Sequence, residues 1–281
     1  MKTQYRFNEY YCGDSYLDID VYPEFCKPKG KRKKNKYKPS REAQEILNRS
    51  NRDKYIIRLF NHNYNKDSFY VTLTYDDEHL PETYEIAERN LRNYIRRVKA
   101  LAKKKGLFIL IFAVTGYGSR RKRLHHHLMI HCPGLSAFEL RDLWKDRRGA
   151  RGVMRGLTHI DPAEPDIKLG LEQLARYFMK HIDENRKRGL KTTYYRSRNH
   201  KEPEFKPRQK RLKKKEILYM AEHFDFSAIE NLYPGFSLVR PEHYTLDKER
   251  DNAIILNEIN GGYYFHFKLY RPPWIKNKLR R

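Results

Sequence analysis

Apolar positions along this chain change their spacing several times, and each change marks an element. SFYVTLTY (Ser68–Tyr75) is rich in β-branched and aromatic residues and predicts a strand. From Thr83 to Lys105 the positions Ala87, Leu91, Tyr94, Ile95, Val98 and Leu101 recur at helical spacing, with Gly106 as the stop. FILIFAVTGY (Phe108–Tyr117) is almost continuously apolar, which predicts a strand central in its sheet. RLHHHLMIH (Arg123–His131) is apolar between its imidazoles and predicts another. Ser136 and Glu139 have the spacing of a capping box before a short helix ending near Trp144. VMRGLTHI (Val153–Ile160) predicts a fourth strand, and Asp166–Arg188, closed by Gly189, another long helix.

The flanks are less regular. Residues 1–26 are aromatic and acidic without a clear period and suggest a loosely packed arm. KPKGKRKKNKYK (Lys27–Lys38) has eight basic residues in twelve and suits a solvated linker or a phosphate-binding tail. Ser40 has the character of an N-cap for a helix with Ala43, Ile46 and Leu47 on its apolar side. Cations alternate with tyrosines from Thr193 to Lys215. Near the end, AIILNEI and YYFHFKLY flank Asn260-Gly261-Gly262, a hairpin signal. The expected organisation is a flexible arm (1–39), a main domain (40–205), and a basic linker with a C-terminal β-hairpin appendage (206–281). No internal repeat is visible.

Charge narrows the function. Over 281 residues, 60 Lys+Arg against 35 Asp+Glu give a net charge of +25, which calls for an anionic partner. With 22 Tyr and 14 Phe to stack on bases, a single-stranded nucleic acid leads. A membrane ranks below it, because no apolar run is long enough to span one. Three cysteines, Cys12, Cys26 and Cys132, make neither a disulfide framework nor a zinc finger, so the chain reads as cytoplasmic.

Candidate chemistry lies in two places. Four of the 12 histidines fall within Arg123–His131. On a strand, side chains alternate between faces, so His125 and His127 share one face with Met129 and His131, while His126 joins Leu124, Leu128 and Ile130 on the other. Two imidazoles on one face of a strand are half of a metal site. In the long helix, Ile167, Leu171, Leu174, Phe178 and Ile182 form the expected buried stripe. Tyr177 lies well off it, with Lys180 three residues on, and a nearby cation favours a phenolate.

Taken in order, TLTYDDEHLP, the H-x-H after the Tyr-Gly of TGYGSRRKRLHHH, and Y-x-x-K in LARYFMKHI resemble the three motifs of HUH-superfamily rolling-circle replication initiators. The likeness is to those of microviruses and of related phage and plasmid elements, and SRNHKEPE (Ser197–Glu204) adds to it. The resemblance implies an α+β fold, with a central antiparallel sheet of about five strands flanked by helices. It implies Mn²⁺ or Mg²⁺ on His125 and His127, and attack by Tyr177 on a scissile DNA phosphate. A 5′-phosphotyrosine and a free 3′-hydroxyl would result, with Lys180 steadying the phenolate. Such a metal-dependent nicking and joining endonuclease would need single-stranded origin DNA, a host polymerase and a helicase, in the cytoplasm of a bacterial host. Imidazole ligands themselves favour Mn²⁺ over Mg²⁺.

Arg123 matches a basic position of the family, and Lys31, Arg32, Lys33, Lys34, Arg196 and Arg198 are the expected DNA contacts in the basic stretches. One departure stands out: Gly116 occupies the place of a glutamate that serves as third metal ligand, leaving Glu78, Asp76 or His131 as substitutes. An HUH transposase or relaxase would share the chemistry, and a non-enzymatic single-strand binder would share only the charge.

Overall fold

The structure, a computed structural model, describes residues 3–25, 41–118, 123–146, 152–190, 193–209, 211–240, 254–259 and 262–272. In chain order the first elements are strands β1 (Thr3–Cys12) and β2 (Tyr16–Phe25), helix α1 (Arg41–Asn63), strand β3 (Ser68–Leu73) and helix α2 (Tyr84–Lys104). Strands β4 (Leu110–Tyr117) and β5 (Leu124–His131), helix α3 (Ala137–Asp142), and strands β6 (Lys145–Asp146), β7 (Val153–Met154) and β8 (Thr158–Pro162) follow. Then come helix α4 (Glu172–Lys187), strands β9 (Tyr195–Arg196) and β10 (Glu204–Gln209), and helices α5 (Lys214–His223) and α6 (Ser227–Leu232). Strands β11 (Ser237–Leu238), β12 (Ile254–Ile259) and β13 (Gly262–Tyr270) complete the set. Among the described residues, no helix is long and apolar enough to cross a membrane.

Two compact units emerge. One, residues 63–165 and 171–201, has a five-stranded sheet in the order β8-β3-β5-β4-β9, every pair antiparallel. This is the expected α+β arrangement. The histidine strand β5 is in the middle, paired with β3 and β4. Leu91, Tyr94, Ile95 and Val98 of α2 join Val71, Leu73, Ile111, Ala113, Leu128 and Ile130 in one core on one face of the sheet. Helix α4 lies against the other face, where the Phe178 and Phe112 rings are 5.7 Å apart.

Local chemistry moves two expected boundaries. The helix expected from Asp166 begins at Glu172, and Ile167 is exposed rather than part of its buried stripe. Asp166 Oδ1 accepts from the backbone N–H of Lys168 (2.8 Å) and Leu169 (2.7 Å), a turn that competes with the helix. Val153–Ile160 is not one strand. Gly156, at φ 152°, breaks it into β7 and β8, and a Cβ there would lie 2.6 Å from the Thr74 carbonyl oxygen.

The other unit, residues 1–62, 166–170 and 202–281, holds a six-stranded sheet in the order β10-β1-β2-β13-β11, with β12 paired to β13. The N-terminal residues are therefore strands and not a loose arm. The C-terminal hairpin is not an appendage either, since β13 pairs with β2 in register Val21↔Phe265. The cause is alternation. Tyr5, Phe7, Leu17, Ile19, Val21, Phe265, Phe267 and Leu269 turn to one face and pack with Ile217 and Met220 of α5 and Ile229 of α6. Truncating a buried phenylalanine such as Phe267 to Ala would cost about 3–5 kcal/mol.

The opposite face is polar: Arg58 of α1 reaches Asp18 (2.7 Å) and Asp20 (2.8 Å). On α1, Ile46 and Leu47 are exposed, contrary to expectation, and Ile56, Leu59 and Phe60 are buried instead. Ser40, the basic run Lys27–Lys38 and the Asn260-Gly261 turn lie outside the described residues.

Candidate metal centre and tyrosine

Strand β5 keeps the period of two that its sequence requires. His125 and His127 share the face of Gly116 and Val114 on β4, their register partners, and their ring centroids are 4.7 Å apart. His125 Nδ1 is 3.1 Å from the Arg123 carbonyl oxygen, which only accepts, so Nδ1 carries the proton and Nε2 keeps its lone pair. His127 Nδ1 is held by the hydroxyls of Tyr70 (2.8 Å) and Thr72 (3.2 Å) on β3, and its Nε2 is 3.0 Å from Tyr177 Oη.

Helix α4 brings the remaining groups. Its buried side, with Ala175, Phe178, Met179 and Ile182, fixes its distance from the sheet, and buried Asn185 donates to the Thr115 carbonyl (2.8 Å). Tyr177 is then carried at the edge of the buried side, 39 % exposed, as its position off the apolar stripe implies. One turn on, His181 completes a cluster with His125 and His127 whose potential ligand atoms all lie within 4.8 Å of one another. The His127 and His181 centroids are 4.8 Å apart, and those of Tyr177 and His181 are 4.9 Å apart.

His181 is the residue that sequence reasoning missed. The signal was present, because Tyr177 and His181 are four apart and so share a helix face. Both its ring nitrogens are buried without a hydrogen-bond partner among the described residues, and the Glu184 carboxylate stands 3.7 Å from Nδ1. Unpaired buried nitrogens are costly unless something else binds them, which fits a metal. Gly116 makes the room. A Cβ at that position would overlap the His181 ring, only 2.8 Å from Cε1 and closer still to Nδ1. The Gly116 backbone is not in the left-handed region, so the need for glycine is spatial. None of the substitutes expected for the lost glutamate joins the cluster. Asp76 instead accepts from the His79 backbone N–H (2.9 Å), His131 is bonded to Ser68 (3.0 Å), and Glu78 is not among the clustered ligands.

His126 points away, as expected, and is fully buried. Thr115 Oγ1 donates to Glu88 (2.7 Å) and accepts from His126 Nδ1 (2.9 Å), while Tyr75 donates to His126 Nε2 (2.8 Å). Tyr75 and the Asp77 that pairs with Arg123 both belong to the TLTYDDEHLP segment. Arg123 also donates to the Tyr75 carbonyl (2.9 Å). This segment therefore braces the entry to the histidine strand. SRNHKEPE is a brace too: Ser197 N–H donates to the Ile111 carbonyl (2.9 Å), and Asn199 to that of Ile109 (2.9 Å).

Burial holds the imidazoles neutral, the state a metal requires. Desolvation, reinforced by neighbouring imidazoles, brings His127 down to about 2 and His126 to about 3. His181 falls to about 4 through burial, then His125 and Lys180, and burial lowers His125 as well. The Tyr177 phenol is raised by burial, partly offset by a hydrogen bond with Tyr70. Lys180 is exposed, and its charge is felt at His181. Arg198 is exposed and Arg196 half-buried in β9, while Lys31, Arg32, Lys33 and Lys34 lie outside the described residues.

The model of the replication-associated protein ORF2 family matches residues 68–187. That interval runs from the start of β3 to the end of α4 and so contains Tyr70, the three clustered histidines and Tyr177. The match supports a role in the initiation of replication. No curated protein and no solved structure matches the chain.

Proposed function

We propose that this chain is a replication initiator of the HUH type, which nicks and rejoins single-stranded origin DNA with Tyr177 as the nucleophile. The observation that carries the reading is the placement of Tyr177 Oη 3.0 Å from a nitrogen of a three-imidazole cluster within the interval similar to replication-associated proteins. His125, His127 and His181 would hold a divalent cation. Three imidazoles suit Mn²⁺ or a softer ion better than Mg²⁺. When bound, such an ion supplies Lewis acidity, neutralising charge on a scissile phosphate and orienting it.

The chain's own residues do the rest. Tyr177 Oη attacks phosphorus; the Tyr–O–P bond forms as the P–O3′ bond breaks, the phenol loses its proton and the 3′ oxygen gains one. The product pair is a 5′-phosphotyrosine and a free 3′-hydroxyl. Keeping the phosphoester on the protein allows rejoining without ATP. Tyr70 orients His127, and the Asn185 bond to Thr115 keeps α4 over the sheet. Lys180 would offset charge that develops near His181, and Arg123 the charge near Asp77. The 3′-hydroxyl makes a host polymerase and helicase natural partners.

The test is denaturing electrophoresis after incubation with a labelled single-stranded origin library and Mn²⁺. A band carrying DNA through boiling and detergent is expected. Its absence with cognate DNA and metal present would leave a non-enzymatic single-strand binder as the better account.

A further inference from the structure

A cavity of about 530 Å³ opens within the unit built on β1, β2, β10 and β13, apart from the histidine cluster. Asn8, Tyr10, Tyr22, Tyr55, Phe205 and Tyr264 contribute to its lining. Its volume falls in the ordinary range for small-molecule sites, about 300–1,000 Å³. Three properties define what it takes.

Its walls are aromatic and fixed. Tyr10 is packed against the Arg58 guanidinium, 3.7 Å from its ring centroid, and against Phe205 at 5.0 Å. Phe205 itself is 48 % exposed, so part of its ring is open to a planar partner.

Its cations are already paired. Lys54 is bonded to Asp20 (2.6 Å), and Arg58 to Asp18 (2.7 Å) and Asp20 (2.8 Å). Glu202, which accepts from Tyr55 (2.9 Å), adds a further negative charge to the lining. A phosphate or carboxylate would meet no uncompensated positive charge among these lining residues, although the chain as a whole carries +25.

Its polar edge calls for a donor. Asn8 Nδ2 donates to Tyr22 Oη (3.2 Å), whereas Asn8 Oδ1 is buried with no partner among the described residues. A neutral, planar ligand with an N–H edge satisfies that oxygen and stacks on Phe205.

We propose that this pocket receives an unpaired nucleobase of the single strand, stacked on Phe205 and hydrogen-bonded through an N–H to Asn8 Oδ1. The proposal deepens the reading of the protein as a handler of single-stranded DNA and rests on it. The strand's phosphates are left to the basic surface elsewhere, so the pocket reads bases and contributes little to salt dependence.

The experiment uses the full chain carrying Tyr177→Phe, without divalent metal, so that cleavage cannot intrude. Fluorescence anisotropy compares a labelled oligo-dC of about 20 nucleotides with an abasic strand of the same length. The base-bearing strand should bind about tenfold more tightly. Phe205→Ala and Asn8→Ala should each cut that ratio at least about threefold while leaving the abasic affinity unchanged, and Phe205→Trp should preserve it. Thermal melting checks that each variant is folded. A ratio unmoved in Phe205→Ala, or equal losses on both strands, would overturn the proposal. Loss of the ratio in a protein whose Tyr177-bearing form makes no covalent adduct would keep the pocket and remove the nicking reaction. An adduct with an unmoved ratio would do the reverse.

Discussion

The Tyr177 hydroxyl and Nε2 of His127 are 3.0 Å apart, so in the metal-free protein the candidate nucleophile is bonded to a candidate ligand. A metal taking that nitrogen would break this hydrogen bond and free the phenol beside the phosphate site. Tyr177→Phe should therefore fold normally and bind Mn²⁺ as tightly as the unmodified protein, or a few-fold more tightly, yet form no covalent adduct. Calorimetry and denaturing electrophoresis read the two properties separately. An undiminished adduct would assign the nucleophile to another of the 22 tyrosines.

The exchange of a glutamate for His181 makes a reciprocal prediction. His181→Ala should weaken Mn²⁺ binding by at least about tenfold, the scale of losing support at a metal site. Gly116→Ala should fold but weaken binding too, because its methyl group takes the place of the His181 ring. In the double variant Gly116→Glu with His181→Ala, a carboxylate can enter the vacated space, and binding should recover part of the loss. Recovery absent in a folded double variant would show that position 116 no longer faces the metal.

Acid should destabilise the domain at an unusually high pH. The folded-state pKa values of His126, His127 and His181 lie at about 3, 2 and 4, below the ordinary value of 6.5. Between those values the unfolded chain binds protons that the folded one refuses, so stability rises with pH. The contribution is complete above about pH 6.5 and is lost progressively as pH falls towards 4 and below, by at most about 1.4 kcal/mol per pH unit for each histidine. Thermal melting in the absence of metal should show midpoints falling from pH 6.5 downwards. A flat profile to pH 5 would mean that these rings are solvated.

Arg58 bridges two buried carboxylates, Asp18 and Asp20, that stand two positions apart on one strand face, and its loss should be severe. Arg58→Ala leaves both in a buried setting with reduced compensation, and about 3–5 kcal/mol should be lost in chemical denaturation. A loss under about 1 kcal/mol would indicate that water or Lys54 takes over.

Binding to single-stranded DNA should fall steeply with salt, log affinity declining by about 0.7 per phosphate contacted for each decade. Removing residues 27–38, with eight of the 60 basic side chains, should flatten the slope. A slope near zero in the intact protein would contradict the nucleic-acid reading altogether.

Much of the five-stranded unit was legible because its elements carry one dominant period. The apolar stripe of α2, the capping box at Ser136 and the two-residue alternation of β5 each had a local cause. The face carrying His125 and His127 followed directly. Three things did not. In β1 and β2, tyrosines occupy both faces, Tyr5 inward and Tyr10 outward, which blurs an alternation that Leu17, Ile19 and Val21 keep cleanly. The side-chain turn at Asp166 overrode helical spacing. His181 was obscured because its role depends on Gly116, 65 positions earlier, and a spatial exchange of that kind leaves no local period.

The pairing of β2 with β13 sets a schedule for synthesis. Asp20 and Tyr264, bonded to each other, are 244 residues apart in sequence. When β1 and β2 leave the ribosome, their apolar face has neither β13 nor α5 and α6 to cover it, and it must wait for most of the chain. The histidine-bearing sheet closes much sooner, since β3, β4, β5 and α4 are complete by Lys187. Non-local pairing is slow and exposes strand edges meanwhile. The unit that carries the candidate chemistry therefore matures first, and premature termination anywhere between Arg196 and Gly262 would release a formed histidine-bearing sheet attached to an unfinished, aggregation-prone hairpin.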